Sequence, residues 1–280
     1  MTLPLFLLPD GALHGIEEGR HLELAGQEAR HAADVRRLRR GEEIDVADGS
    51  GRVARCRIAT VATHGVELHV LRACLVPDRS PRLVLVQALA KGGRDELAVR
   101  TATELGADEI VPWQAARCVV RWQADRRERG LRRWRSTVRE ATKQSRRPTL
   151  PAVRGPLDTP GLARRVPAAA LALVLHEDAA VPLSEVLRDA GTVPPEAGTP
   201  VLGGTGTAGP ADTATTCCRV RDLAGDVLVV VGPEGGIGQE ELASLTLAGA
   251  RAVRLGPEVL RTSSAGPAAL AVLSTFLGRW

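Results

Sequence analysis

Two loops carry the residue types from which a small-molecule pocket is built. The first is Gly232-Pro233-Glu234-Gly235-Gly236, entered directly from the apolar run Val227–Val231. The second follows about twenty residues later, Leu255-Gly256-Pro257-Glu258-Val259-Leu260-Arg261-Thr262, entered from Val253. Glycine has no Cβ, so a backbone with three glycines in five residues can approach a bound molecule closely. Both loops leave the ends of strands, and open α/β sheets bind ligands at the carboxyl ends of strands. The expected chemistry is recognition of a small molecule between two loop walls, with Glu234 and Arg261 as the charged side chains beside it.

Other chemistries are excluded by context. Gly204-Thr-Gly-Thr-Ala-Gly209 matches G-x-G-x-x-G, but no strand precedes it, Pro210 follows and no helix opens there. The context that gives the motif its mechanism is missing. A phosphate-binding P-loop is also absent, so dinucleotide and nucleoside triphosphate readings fall. Cys56, Cys74, Cys118, Cys217 and Cys218 contain no C-x-x-C and suit no metal-ligand spacing. Their odd number and irregular spacing point to reduced thiols in a cytoplasmic protein. The N-terminal run lacks a basic region and is broken by Pro4 and Pro9, unlike a signal peptide. Apolar runs are all too short for a membrane span.

The elements that position these loops alternate in type. Residues 1–75 read as a small β-rich domain: a helix over Gln27–Leu38, a hairpin of Glu43–Ala47 and Arg52–Ile58 around the turn Asp48-Gly49, and a strand over Val66–Leu71. Residues 76–81, with two prolines, form a linker. From 82 to 280 strands alternate with helices, which means α/β. Leu83–Leu89, Glu109–Trp113, Leu171–Leu175 and Val227–Val231 are strands; the last two are continuous apolar runs of the parallel-sheet type. Helices are expected over Asp95–Leu105, Leu131–Ser145, Gln239–Ala248 and Ser263–Leu277. The Gly-, Pro- and Thr-rich stretch 191–223 reads as a flexible surface insertion.

With 280 residues, 44% hydrophobic and 25% charged, the chain is an ordinary globular one of two-domain length. Its net charge is only +4, but thirteen basic residues lie between Arg117 and Arg154, opposed by Asp125, Glu128 and Glu140 alone. Such a patch suggests a polyanion, the alternative being a merely solvated helix face. On the helix 131–145, Leu131, Trp134, Val138 and Ala141 share one side. Arg132, Arg135, Arg139, Lys143 and Arg146 show on the other. Arg36 and Arg39 belong to a second basic cluster. Trp122 is a candidate for stacking on a base; Trp134 reads as core.

Four segments, taken in order, resemble the 16S rRNA (uracil-N3)-methyltransferase family of the SPOUT superfamily of knotted methyltransferases. They are His31–Ile44 with Asp48-Gly49; Lys91-Gly-Gly-Arg-Asp-Glu-Leu97 with Ala102–Pro112; Arg133-Trp134 with Glu140–Arg147; and Gly232–Gly236 with Leu255–Thr262. The resemblance implies a PUA-like RNA-binding β-barrel domain followed by a catalytic domain with a parallel sheet and a deep trefoil knot. It also implies S-adenosylmethionine as methyl donor, small-subunit ribosomal RNA as partner, in an assembled or partly assembled subunit, and a homodimer. No metal and no membrane enter.

On this reading Leu175, His176, Gly232, Pro233, Gly235, Gly236, Leu255, Gly256, Leu260 and Thr262 hold the cofactor. Leu175 and Leu255 have strand-end core roles as alternatives, His176 a surface one. Arg261 stabilises negative charge on the uracil carbonyls, or else contacts phosphate or forms an ion pair. Glu234 orients the base or caps a loop. Arg36, Arg39, Arg132, Arg135, Arg139, Lys143 and Arg146 meet RNA. One departure stands out: the family's Glu-Thr-Ala after Leu-Arg-Thr is Ser263-Ser264-Ala265 here. The serines are expected to cap the helix, with Pro267 in its first turn. Competing readings are an enzyme of this superfamily acting on tRNA or a ribose 2′-hydroxyl, and an RNA-binding protein without catalysis.

Overall fold

The computed structural model describes residues 3–62, 65–189, 223 and 225–280. The expected insertion, Leu223 apart, and its G-x-G-x-x-G sequence lie outside them. Two sheets organise the described residues. The N-terminal one comprises β1 (Leu5–Leu7), β2 (His21–Ala25), β3 (Glu43–Ala47), β4 (Arg52–Ala62) and β5 (Gly65–Leu75), in the order β1-β3-β4-β5-β2. Its hairpin β3–β4 sets Ile44 against Cys56 and Val46 against Ala54, all four fully buried. Asp48 Oδ1 fixes the turn by accepting from the Ser50 amide at 3.0 Å and its hydroxyl at 2.7 Å.

This half departs from expectation in three ways. Strands β4 and β5 run on beyond their alternating segments, because register shifts at Arg55/Cys56 and Ile58/Thr60 keep them paired where the alternation fails. Strand β1 has no alternation to find: Leu5, Phe6 and Leu7 are all buried. The helix over 27–38 is shorter: α1 (Gly26–Arg30) passes into one π-helical turn, His31–Val35, and stops. Arg37 takes φ 52° there, and the Leu38 amide reaches back to Ala32 O, so regular pairing ends in a run of arginines that offers no apolar face.

The second sheet is built from β6 (Arg82–Ala88), β7 (Glu109–Trp113), β8 (Ala152–Val153), β9 (Leu171–Leu175), β10 (Asp226–Val231) and β11 (Arg251–Val253), all parallel, in the order β11-β9-β10-β6-β7-β8. Helices α2 (Arg94–Glu104), α3 (Asp125–Gln144), α4 (Thr159–Arg165), α5 (Leu183–Asp189), α6 (Gln239–Leu247) and α7 (Thr262–Phe276) connect or flank the strands. The central strands are apolar because both faces are covered. Polar charge sits instead at their amino ends, where Arg165 bonds Glu109 at 2.7 Å and Asp226 at 3.3 Å, and Arg82 bonds Glu109 at 3.0 Å. Burial alone would raise the Glu109 pKa, but the Arg165 hydrogen bond and the charges of Arg165 and Arg82 hold it below the ordinary carboxylate value.

Helix α7 corrects two expectations. Its N-cap is Arg261, without a side-chain capping bond, so neither Ser263 nor Ser264 caps it. With the helix starting at Thr262, Pro267 is its sixth residue and lies inside the helix, past the first turn where it was expected. The preceding Gly266 explains how the helix sits: a Cβ there would lie 2.7 Å from Leu85 Cδ1 and 3.1 Å from Val231 Cγ2, so α7 rides directly on β6 and β10.

The two sheets are stitched together. Gly49 and Ser50 bridge Thr149, and the Leu150 amide donates to Gly49 O at 2.9 Å. From α3, Arg139 donates to Leu7 O and to Glu28, and Lys143 Nζ lies 2.8 Å from Glu28 Oε2. Arg147, 8% exposed, donates to Thr103 O and Ala107 O, and burial lowers its pKa to about 10.

Candidate active site

The carboxyl ends of β9, β10 and β6 open onto one cavity of about 430 Å³. Its walls are Leu175 and Glu177 after β9, the loop from Val231 to Ile237, the stretch Val259–Thr262, Ala265 of α7, and Arg94 at the start of α2. A smaller hollow adjoins it, lined by Leu175, His176 and the loop from Val253 to Leu260. The two share Leu175, Glu177, Val259, Leu260 and Ala265, so they form one groove along both glycine loops. Its size suits a nucleoside-sized ligand.

Local sequence explains the walls. Gly232 must be glycine because a Cβ there would lie 2.6 Å from Ile237 Cγ1, and Gly236 turns the loop at φ 72°. The Glu241 side chain, buried at the start of α6, accepts from the Gly238 amide at 3.3 Å, the Ala116 amide at 2.8 Å and the Thr159 hydroxyl at 2.6 Å. That one carboxylate ties the loop after β10 to the segment after β7 and to α4. Arg117, from the same segment, donates to Gly235 O at 3.1 Å and clamps the loop from outside.

A second set of bonds closes the groove from within. Thr262 Oγ1 donates to Gly232 O at 2.7 Å and accepts from Gln87 Nε2 at 3.0 Å. Gln87 also donates to Ala88 O, while its Oε1 is buried without a partner. Thus β6, the first glycine loop and the start of α7 meet at one hydroxyl.

The expected cofactor residues fall as follows. Leu175, Gly232, Pro233, Gly236, Leu260 and Thr262 line the larger cavity; His176, Leu255 and Gly256 line the smaller. His176 Nδ1 accepts from the Asp178 amide, which fixes the ring against its own loop. Gly235 lines neither; its Cβ position faces Arg117 Cβ at 3.4 Å. Arg261 and Glu234 both reach the larger cavity, and Glu234 is paired with Arg94 at 3.0 Å. Nothing in the pattern marks Glu177 or Gln87. Arg94 and Arg117 were legible only as members of the quoted segment and the basic run. Burial raises the pKa of Asp95 next to Arg94, with Arg133 opposing that shift.

The expected RNA face divides. Arg36, Arg39, Arg132 and Arg146 are exposed and enter no ion pair among the described residues. Arg135 pairs with Glu128. Arg139 and Lys143 turn to Glu28 on the N-terminal half, because the solvent-side row of α3 runs under α1. Trp134 is core, as expected, and Trp122 stacks edge-on against it at 5.3 Å, filling the space over Gly130 rather than standing free for a base. The described residues include no metal-binding cluster of His, Cys, Asp or Glu, and no helix long and apolar enough to cross a membrane.

Comparison with known proteins gives this geometry its context. The family described as the RNA methyltransferase domain matches residues 78–204 and 205–274, and the RNA methyltransferase PUA domain matches residues 24–71. A ribosomal RNA small subunit methyltransferase E of Mycobacterium bovis is 44% identical over 259 residues, covering 91% of this chain and 86% of that protein. A protein of the same name from Bacillus subtilis is 26% identical, covering 92% and 91%. Among solved structures, the ribosomal RNA small subunit methyltransferase E of Neisseria gonorrhoeae bound to S-adenosyl methionine superposes with a TM-score of 0.74 at 26% identity, over 98% of this chain and 97% of that one. A Legionella pneumophila protein solved in complex with the same cofactor gives 0.74 at 26%, over 98% of each chain.

Proposed function

Because this chain belongs to the ribosomal RNA small subunit methyltransferase E family of RNA methyltransferases, we propose that it transfers the methyl group of S-adenosylmethionine to N3 of a uridine in 16S ribosomal RNA. The observation that carries this is the groove at the carboxyl ends of β9, β10 and β6, walled mainly by main chain and apolar side chains, with arginine at its rim. Main-chain groups of the two loops, with the main chain at Leu175 and the carbonyl of His176, read the edge of an adenine. The donor supplies an electrophilic methyl group on a sulfonium.

Uridine N3 carries a proton and is a poor nucleophile until it leaves. The site must therefore align N3 with the methyl group and favour the deprotonated base. Arg261, exposed on the cavity wall, places a guanidinium where charge develops on a uracil carbonyl. Arg36, Arg39, Arg132 and Arg146 neutralise phosphates of the RNA. We further read residues 1–75 as the RNA-binding domain, 76–81 as linker and 82–280 as the catalytic domain. The knot, a homodimer, a cytoplasmic location and an assembled or partly assembled subunit as substrate complete the reading.

The test is direct. Purified protein is incubated with the methyl donor and small-subunit particles or bare 16S RNA, and the RNA is digested and analysed by mass spectrometry. Appearance of 3-methyluridine supports the assignment. A 2′-O-methylated nucleoside, or methylation of tRNA alone, overturns it, and cofactor binding without any methylation favours an RNA-binding protein.

A further inference from the structure

Two arginines line the larger cavity, and they come from different elements. Arg261 enters from the loop after β11; Arg94 enters after β6, at the first position of α2. Gly92 at φ 68° and Gly93 at φ 73° swing the chain into α2, and no atom lies within 4 Å of either Cβ position. That side of the loop is therefore open, with space above it for a base. Arg94 Nη1 is held by Glu234 Oε1 at 3.0 Å, and both line the cavity. Glu234 in turn belongs to the glycine loop, so the cofactor wall aims this guanidinium.

Uracil has a carbonyl on each side of N3. When the N3 proton leaves, the charge spreads onto O2 and O4. One cation can serve only one of them well; two cations carried into the cavity by separate elements match the pair. We propose that Arg94 is a second catalytic residue, which touches one uracil carbonyl while Arg261 touches the other, with Glu234 as the residue that positions Arg94. The inference rests on the N3 reading. The N3 proton goes to water, the N3 lone pair forms the bond to the methyl carbon, and the carbon–sulfur bond breaks with its electrons remaining on sulfur. Products are 3-methyluridine, neutral S-adenosylhomocysteine and a proton. Glu234 is not the proton acceptor in this scheme, because its carboxylate is engaged by Arg94.

The experiment is single-turnover methylation of small-subunit RNA at saturating methyl donor, from about pH 6.5 to about pH 9.5, a range that climbs from neutrality toward N3–H ionisation. It uses the wild-type protein and the variants Arg94→Gln, Arg94→Lys, Glu234→Gln and Arg94→Gln/Glu234→Gln. Arg94→Gln is expected to slow transfer on the order of 10²-fold near neutrality. The deficit shrinks as pH rises, because a less acidic bound N3–H still ionises at higher pH. Arg94→Lys recovers part of the rate, cofactor affinity falls far less than the rate does, and the double variant is no slower than Arg94→Gln. A deficit constant with pH, or one that tracks lost cofactor affinity, overturns the role of Arg94 while leaving the activity standing. Absence of 3-methyluridine from the wild-type reaction overturns the activity and Arg94 with it.

Discussion

The hydroxyl of Thr262 is the sharpest place to perturb the groove. It donates to Gly232 O and accepts from Gln87, so Gln87 acts on the first glycine loop only through Thr262. Gln87→Leu removes two donated bonds, to Thr262 and to Ala88 O. It also removes a buried oxygen with no partner. The lost bonds are worth about 1–3 kcal/mol together, and an unpaired buried polar atom costs a similar amount, so folding stability should change little. Cofactor affinity should fall, because the Thr262 hydroxyl, which still donates to the Gly232 carbonyl, loses the Gln87 amide that orients it. One net hydrogen bond, about 1 kcal/mol, is roughly fivefold in affinity. Thr262→Val keeps the shape but deletes the hydroxyl, and leaves Gly232 O without its donor; there the loss should be larger, on the order of tenfold or more. Calorimetric titration with S-adenosylmethionine, beside thermal melts, gives the four corners of a double-variant cycle. If the bonds act in series, the double variant binds no more weakly than Thr262→Val. Losses that multiply would mean that Gln87 reaches the pocket by another route, and the argument fails.

Other consequences are as open to measurement. Replacing Arg132 and Arg146 by Ala should flatten the slope of log RNA affinity against log salt by about 2 units, one contact each, whereas Arg139→Ala/Lys143→Ala should leave the slope unchanged and lower the melting temperature; the reverse pattern refutes the division of the basic face. Glu241→Leu leaves the Ala116 and Gly238 amides and the Thr159 hydroxyl without their acceptor, and should cost on the order of 3 kcal/mol in a denaturant titration; an unaltered midpoint would show that the carboxylate is dispensable. Burial pushes the thiol of Cys56 from 9.0 up to about 12, and that of Cys118 up to about 11. Since these folded values exceed the unfolded one, the stability they confer is complete below about pH 9 and is lost as pH climbs toward them, by up to about 1.4 kcal/mol per unit for each thiol. Alkylation at pH 8 followed by peptide mapping should leave both unmodified; labelling of either in the native protein would contradict its burial.

The catalytic half was legible because its elements announce themselves locally. The runs Glu109–Trp113 and Leu171–Leu175 are strands to the residue, and the helix starts at Asp95 and Gln239 lie within one position of those expected. Glycine and proline, each with a steric reason, gave away the two loops. What stayed hidden depends on distant partners. Strand β1 exists because β3 accepts it in parallel register, and β8 is two residues long. Gln87 sits in a run that reads as wholly apolar, and its meaning comes from Thr262, 175 positions away. The inward turn of Arg139 and Lys143 could not be read from α3 alone, since a helical wheel cannot show that Glu28 lies beneath that stripe. The serines after Thr262 misled for a local reason: they have cap chemistry, but the helix is entered two residues before Ser263, at Arg261.

The seam between the sheets has a bearing on how such proteins diverge. Much of it is written in main chain, with Gly49, Gly51 and Leu150 exchanging N–H and C=O groups with their neighbours. Amide bonds carry no side-chain signature, so most residues along this junction are free to drift between lineages without loosening it. Two are not. A Cβ on Gly49 would lie 2.9 Å from Leu150 Cβ, and one on Gly51 would lie 2.7 Å from Val76 O, at φ values of 82° and 95°. Relatives that keep this junction should therefore show a pair of invariant glycines, spaced by one residue, in the midst of a stretch that otherwise varies.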